Sequence, residues 1–344
     1  MADKEICLDN EILRFLYAHD GYLSGEEISQ TLGITRAAVA KRIAKLREEG
    51  YPISAVTNRG YRLEDKSLKA CYGWELQKAF AGMESSLWRE LRFEDTVDST
   101  NLLAKRLIAS SSENPEGIVV TCELQTAGRG RRGRSWEVPA GSGIAMSPIL
   151  CPKIPASRAP MLTLVAGMAV RKALEDLYDV HAVIKWPNDI VVDGKKICGI
   201  LTEMSMEDLD MTGLAVGIGI NVQQTAFDEE IAYKATSVAL VTGISKPDRA
   251  ALFTAVLRCL EDYYRRFMQT TDLSLLQDEY HAHCVNVGRM VHVMENPADP
   301  DSGYSACATG ITRYGDLRLR KADGSETVVS SGEVSVRGVY GYAE

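Results

Sequence analysis

The sequence predicts a multi-domain α+β chain: helices closed by a small hairpin, then a mixed α/β domain of enzyme size, then a small β-barrel. Three observations predict it. Residues 1–65 show helical periodicity broken by tight turns and end in a short basic hairpin; residues 66–285 interleave helical and strand periods; residues 286–344 carry short alternating strands around a turn signal. At 344 residues the chain has room for these segments, and its 45% hydrophobic and 25% charged composition is that of an ordinary globular protein. A net charge of −8 argues against coating nucleic acid wholesale, but leaves room for a local basic surface. The eight cysteines contain no C-x-x-C pair and read as reduced structural thiols. The N-terminus is polar, without the charged and apolar regions of a signal peptide, and apolar stretches such as 162–170 are too short to span a bilayer, so a cytoplasmic protein with no membrane contact is expected.

In the first segment Ile12, Leu13, Leu16 and Tyr17 mark one helical face. Ser24-Gly25-Glu26-Glu27 has capping-box spacing and opens a helix through Leu32. Gly33-Ile34 makes a tight turn, Thr35 is a natural N-cap, and the next helix is expected to run to about Glu49 and stop at Gly50. Val39, Ile43 and Leu46 form its buried stripe, which puts Lys41, Arg42 and Lys45 on the other side. Between Thr35 and Arg47 there are five basic residues and no acidic one. Asn58-Arg59-Gly60 then turns a basic hairpin between 55–57 and 61–63. A small helical interaction domain with a solvated basic face is the plainer reading. Turn, cap, charged helix and hairpin in that order instead describe a winged helix-turn-helix, about Gly25 to Ala44, with Thr35, Arg36, Lys41, Arg42 and Lys45 at the major groove and Arg59 at a backbone phosphate. Glu64 to Ser67 reads as the linker.

In the second segment 102–108, 160–178 and 249–268 have helical periodicity, while 118–122, 144–146, 182–185, 190–192, 197–202 and 214–220 read as strands. Its most informative word is Gly128-Arg129-Gly130-Arg131-Arg132-Gly133-Arg134, closed by Trp136. Glycines let backbone amides approach a ligand while guanidiniums surround it, which suits phosphates and carboxylates. Alone, the run leaves an anion site, a nucleic-acid patch and a solvated basic loop all open. It matches G-x-G-x-x-G formally, but no clean helix is expected to follow, and the chain has no Walker A lysine motif. His281 and His283 have H-x-H spacing without an evident third ligand, so no metal site is expected there. In the third segment 317–321 alternates, Asp323-Gly324 is a hairpin turn, and 327–329 and 334–336 complete short strands.

Six words in order carry a resemblance: Asp98-Ser99-Thr100-Asn101; Gln125 to Trp136; Lys185-Trp186-Pro187-Asn188-Asp189; Gly194 to Glu203; Gly217-Ile218-Gly219-Ile220-Asn221; and Ser331 to Arg337. Together they resemble the biotin–protein ligase family, and the winged helix ahead of them resembles its bifunctional ligase–repressor type. The resemblance implies a central domain of the class II aminoacyl-tRNA synthetase/biotin ligase type and a C-terminal SH3-like β-barrel. It implies that biotin and ATP form biotinyl-5′-AMP, with Mg²⁺ carried mainly by ATP phosphates. A lysine of a biotin carboxyl carrier domain, that of acetyl-CoA carboxylase, then takes the biotinyl group. The adenylate-bound protein would act as corepressor-loaded homodimer on operator DNA.

By matching position, Lys196 and Arg131 are the catalytic cations, Lys196 at the biotin carboxylate and α-phosphate and Arg131 closing over the adenylate. Ser99, Thr100 and Gln125 would meet the ureido ring, with Asn101, Gly128, Arg129, Gly130 and Trp136 completing the biotin site. Arg129, Arg131, Arg134, Lys185, Asn188, Asn221 and Arg337 would serve the nucleotide. Residues 222–236 would fold over adenine, with Phe227, Ile231 and Tyr233 as apolar cover, ordering with ligand and so coupling catalysis to dimerisation. Alternatives are a ligase whose winged helix no longer regulates, a biotin sensor without ligation, and a lipoate ligase. Charge at the α-phosphate disfavours the sensor, and the arginine–glycine loop followed by Trp136 favours biotin over a lipoyl chain.

Overall fold

The computed structural model describes residues 8–9, 11–13, 15–17, 19–48, 51–64, 72–208, 210–294, 303–331 and 335–338. The expected stop at Gly50, the linker residues 65–67, Cys7, Cys71 and Val334 lie outside them. The chain divides into two compact units, Met1–Lys78 and Ala79–Glu344.

In the first unit the described residues between Leu8 and Tyr17 are helical. Helix α1 (Gly25–Leu32) opens with a complete capping box: Ser24 Oγ accepts the Glu27 amide at 3.1 Å and Glu27 accepts the Ser24 amide at 3.0 Å. Gly33, at φ 63°, ends it in the left-handed conformation. Thr35 Oγ1 accepts from the Ala38 amide at 3.1 Å at the start of α2 (Arg36–Glu48). Val39, Ile43 and Leu46 pack into the core with Ile12, Leu16 and Ile28. Strands β1 (Ile53–Val56) and β2 (Gly60–Leu63) form the wing, and Leu23 adds an antiparallel bridge to Tyr61. A side chain at Gly60, φ 107°, would strike the Leu23 carbonyl, so only glycine closes this wing.

In the second unit a seven-stranded sheet has the order β3-β4-β5-β9-β8-β7-β6. The strands are β3 (Glu90–Val97), β4 (Ile118–Gln125), β5 (Gly143–Leu150), β6 (Val183–Lys185), β7 (Asp189–Val192), β8 (Lys195–Glu207) and β9 (Asp210–Asn221). Among these seven strands β3 and β4 pair in parallel and the other neighbours pair antiparallel. Helix α4 (Thr100–Ser110), which follows α3 (Tyr72–Ala81), and helix α5 (Met161–Tyr178) cover opposite sides. Asn101 of α4 bonds Glu203 of β8, whereas Thr163 of α5 bonds the neighbouring Thr202, and adjacent strand residues face opposite ways. Short helices α6 (Glu229–Ala232) and α7 (Val238–Thr242) lead to α8 (Arg249–Thr270), which packs on α5.

After α9 (Gln277–His283), strands β10 (Met290–Met294), β11 (Tyr304–Ile311), β12 (Leu317–Arg320), β13 (Glu326–Val329) and β14 (Ser335–Gly338) form an antiparallel sheet in the order β13-β12-β11-β10-β14. This small sheet stands where the barrel is expected; among the described residues no ladder joins β13 to β14. It is tied to the larger sheet by Trp186 Nε1, which donates to the Gly315 carbonyl at 2.9 Å. Its second tie is His281 Nε2, which accepts the Ile311 amide at 2.8 Å. His283 faces Arg171 instead, and among the described residues no group of three His, Cys, Asp or Glu side chains is gathered. The described cysteines are free thiols, and burial pushes Cys122 up to about 12 and Cys151 to about 11. Among the described residues no helix is long and apolar enough to cross a membrane.

Candidate active site

A cleft opens on the β8–β9 side of the sheet, where three glycines form its floor. Gly199 pairs with Gly219 and Leu201 with Gly217 across the two strands, so these positions share one face. The floor must be bare. A methyl group at Gly219 would come within 2.3 Å of Trp136 Nε1, and one at Gly217 within 2.5 Å of Asn101 Oδ1. Gly219→Ala is expected to displace the indole and weaken ligand binding about tenfold, in line with roughly 1–3 kcal/mol for overpacking. Titration calorimetry checks this, and unchanged affinity would show that the indole is not part of the site.

Ser99, Thr100, Asn101, Gln125, Arg129, Gly130, Arg131, Trp136, Asn188 and Lys196 all line the cleft. With the floor glycines, five sequence words far apart in the chain therefore converge. Ser99 stands at the N-cap of α4 but makes no side-chain capping bond. Position Asp98 does the local work, accepting the Ser99 amide and both Arg106 nitrogens, and the Arg106 pair holds its carboxyl below the usual range.

One end of the cleft is cationic. The β7–β8 hairpin turns at Asp193-Gly194, both at positive φ, and delivers Lys196 beside the cleft. Lys196 Nζ lies 2.6 Å from Asp189 Oδ1 and 5.3 Å from the Trp136 ring centre, a cation–π distance. Asn188 donates to Asp189 Oδ1 at 3.1 Å and accepts from Arg131 at 3.1 Å. A second Arg131 nitrogen donates to the Ser331 carbonyl of the C-terminal segment. The two cations are thus joined through Asn188 and Asp189. Burial, then Arg132, hold Arg131 below its ordinary pKa. Trp136 keeps a buried Nε1–H that has no hydrogen-bond partner among the described residues.

The other end is neutral. Thr100 N–H donates to Gln125 Oε1 at 2.9 Å, and Thr100 Oγ1, Ser147 Oγ and Asn101 Oδ1 follow at 2.8 and 2.7 Å. Asn101 Nδ2 closes the series on Glu203 at 3.0 Å, and Glu203 also faces Arg129 at 3.5 Å. A polar floor beside a cationic end suits a ligand with a neutral hydrogen-bonding ring and an anionic tail.

Other expected site residues fall elsewhere. Gly128 is buried beneath the Trp136 carbonyl, and Arg134 is exposed beyond the cleft. Lys185 is 7% exposed inside β6, because its strand is covered. Asn221 donates to the Thr236 carbonyl at 3.0 Å and accepts from Gln224, so it anchors the 222–236 segment rather than lining the cleft. That segment docks by backbone: Lys196 N–H donates to the Lys234 carbonyl at 2.8 Å and Thr236 N–H to the Lys196 carbonyl at 2.9 Å. Phe227 is half-buried, but Ile231 and Tyr233 are exposed, Tyr233 by 69%, and do not cover the cleft. Arg337 stands opposite His292 in the β14–β10 ladder; the reach of its side chain lies outside the described residues.

On the first unit, Lys41 and Arg59 are exposed, and Arg36 is exposed with Glu26 at 3.6 Å. Arg42 and Lys45 are drawn to Asp9 at 2.6 and 2.9 Å, with Arg42 partly buried. The helical count places them opposite the buried stripe, but it cannot see the carboxylate from the preceding helical stretch. Asp189, Ser147 and Glu203 are the residues without an assigned role in the sequence. Asp189 and Glu203 lie within recognised words, and Ser147 is marked only by being polar in an apolar strand.

The Biotin/lipoate A/B protein ligase family model matches residues 93–221, and an HTH domain model matches residues 9–62. The Bifunctional ligase/repressor BirA of Bacillus subtilis is 40% identical over 92% of this chain and 95% of that protein. The Biotin–[acetyl-CoA-carboxylase] ligase of Mycobacterium tuberculosis is 35% identical over 72% of this chain and 89% of that protein. The structure of a biotin protein ligase from Aquifex aeolicus in complex with biotin and ATP superposes with a TM-score of 0.62 at 28% identity, covering 73% of this chain and all of that one.

Proposed function

The chain belongs to the bifunctional ligase/repressor family, a biotin ligase behind a helix-turn-helix repressor domain, and we propose from that membership how its residues divide the work. The observation that carries the proposal is the joining of Lys196 and Arg131 through Asp189 and Asn188 at one end of a cleft whose other end is neutral and polar.

Biotin's ureido ring seats at Ser99, Thr100 and Gln125, and its carboxylate points to Lys196. ATP lies with its α-phosphate between Lys196 and Arg131. A carboxylate oxygen bonds the α-phosphorus while the bond to the β-phosphate oxygen breaks, and pyrophosphate leaves with that electron pair. Lys196 bridges the attacking oxygen and the phosphoryl oxygens, where negative charge meets negative charge. Asp189 keeps the Lys196 ammonium oriented. Trp136 Nε1–H, buried without an acceptor among the described residues, is placed to donate to the ligand. Mg²⁺ would be carried mainly by the ATP phosphates and would offset their charge, with Asn188 the residue placed to hold it. The carrier lysine's amine then attacks the biotinyl carbonyl, AMP departs, and the amine loses its proton.

The remaining assignments extend the same reading: a cytoplasmic protein whose residues 1–65 bind operator DNA, residues 66–285 make biotinyl-5′-AMP and residues 286–344 close the site. Biotinyl-5′-AMP is the corepressor and promotes a homodimer, with 222–236 as the responsive segment. Incubating the full chain with biotin, MgATP and a biotin carboxyl carrier domain should add one biotin to one carrier lysine by mass spectrometry. Biotin binding without any mass increase would replace the ligase by a sensor.

For DNA, Asp9 already neutralises part of the basic helix. Lys41→Ala should therefore weaken operator binding and lower the slope of log affinity against log salt by about one, whereas Lys45→Ala should change it less. Equal slopes for both variants would contradict this ordering.

A further inference from the structure

We propose that Ser147 is a positioning residue for the ligase: oriented by Asn101, it fixes the Thr100 hydroxyl as a pure hydrogen-bond acceptor towards the cleft and so selects a ligand that presents an N–H there. The inference rests on reading this cleft as the biotin site, and its experiment separates the two.

Proton counting carries it. Both Asn101 amide protons are spent on groups that can only accept, the Leu201 carbonyl at 2.9 Å and the Glu203 carboxylate at 3.0 Å. The amide cannot be turned over without loss, because its oxygen would then face the Leu201 carbonyl and the Glu203 carboxylate, acceptor against acceptor. Its Oδ1 must then accept, and its partner is Ser147 Oγ at 2.7 Å. A hydroxyl has one proton. Ser147 gives it to Asn101, so in its 2.8 Å contact with Thr100 Oγ1 it accepts the Thr100 proton. With that proton directed inward, Thr100 Oγ1 offers only lone pairs to the cleft. Gln125 Oε1, 3.2 Å away, is supplied by the Thr100 backbone N–H at 2.9 Å instead.

The whole relay is buried. Ser147 is 0%, Asn101 3% and Thr100 4% exposed, so water does not scramble the proton order. Ser147 does not itself line the cleft. A serine inside the otherwise apolar β5 thus has a role other than packing: the Glu203 charge sets its direction through Asn101. A cyclic ureido group presents N–H donors and fits this acceptor; a ring oxygen in the same place would meet lone pair with lone pair.

The test uses the full chain, titrated calorimetrically with biotin and with a biotin analogue whose ureido N–H groups are singly replaced by oxygen, a cyclic carbamate. Wild type should prefer biotin over the carbamate that loses the contacted N–H by at least about tenfold, the scale of one polar group left unpaired in a buried site. In Ser147→Ala the Thr100 proton is released and can be donated to the carbamate oxygen, so that preference should shrink about tenfold. Stability will also fall, because Asn101 Oδ1 loses its donor, which is why the ratio of affinities is the readout. A Thr100→Val background removes the hydroxyl through which Ser147 acts, so there Ser147→Ala should leave the ratio unchanged. An unchanged ratio in the single variant, or the same change in both backgrounds, overturns the relay while leaving the biotin site standing. Failure of the wild-type chain to bind biotin at all would remove the functional reading, and the relay with it.

Discussion

Lys196→Gln should cut pyrophosphate release from biotin and MgATP by about 10²–10³-fold, the loss found when one preorganised donor is removed from a developing charge. Glutamine is one bond shorter than lysine but keeps a donor, and Asp189 still accepts from Asn188 at 3.1 Å, so the fold is not asked to bury an unpaired carboxylate. The backbone ties of Lys196 to Lys234 and Thr236 do not involve the side chain and should persist. The defect should therefore fall on kcat, with biotin affinity changed far less, because the ureido end of the cleft is untouched. Equal losses in kcat and in biotin binding would mean that Lys196 organises the pocket rather than the transition state. Unchanged pyrophosphate release would remove it from the chemistry.

The elements around this site were legible in the sequence to very different degrees. The capping box at Ser24, the Gly33 turn and the Thr35 cap depend on nearest neighbours, and all three form as local chemistry dictates. The strands of the central sheet announce themselves as apolar runs bounded by turns, and the Asp193-Gly194 hairpin is a local signal too. Strand β3 carries no such signal. It lies at the sheet's edge with charged residues along it, and charge at an edge discourages further strand pairing rather than marking a strand.

The site divides in the same way. The arginine–glycine word draws the eye because its composition is unusual, and Arg129, Gly130 and Arg131 of it do line the cleft. Lys185 and Asn221 stand inside equally distinctive words but are buried off the cleft, Asn221 anchoring the 222–236 segment, because a word records neighbours in sequence and not which way a strand side chain turns. Ser147 and Asp9 are the converse. Each acts through a partner dozens of residues away, Asn101 and Arg42, and no local pattern encodes such a meeting.

Arg131→Gly should leave adenylation measurable and speed escape of biotinyl-5′-AMP by about 10- to 100-fold, the worth of roughly 1.5–3 kcal/mol for a lost hydrogen bond to a charged group. The guanidinium sits where it can serve two partners in turn. It is held by Asn188 and by the Ser331 carbonyl, both neutral acceptors, and a mixed anhydride carrying a phosphate charge competes for it on better terms. Burial above all, then Arg132 and Arg134, disfavour its charge, which Asp189 supports, so an incoming anion relieves an unfavourable arrangement. Without the side chain, the floor of Gly199, Gly217 and Gly219 and the Lys196 end remain, so the adenylate can form but is no longer closed in. Glycine at 131 also loosens the loop that presents Arg129. Arg131→Lys separates the two effects: it restores charge with ordinary backbone freedom and should recover part of the retention, but not the two-partner grip of a planar fork. Rapid gel filtration of enzyme loaded with labelled biotin and ATP reads the release directly. Release as slow in Arg131→Gly as in the wild type would show that closure belongs to another group, with Trp136 and the 222–236 segment next in line.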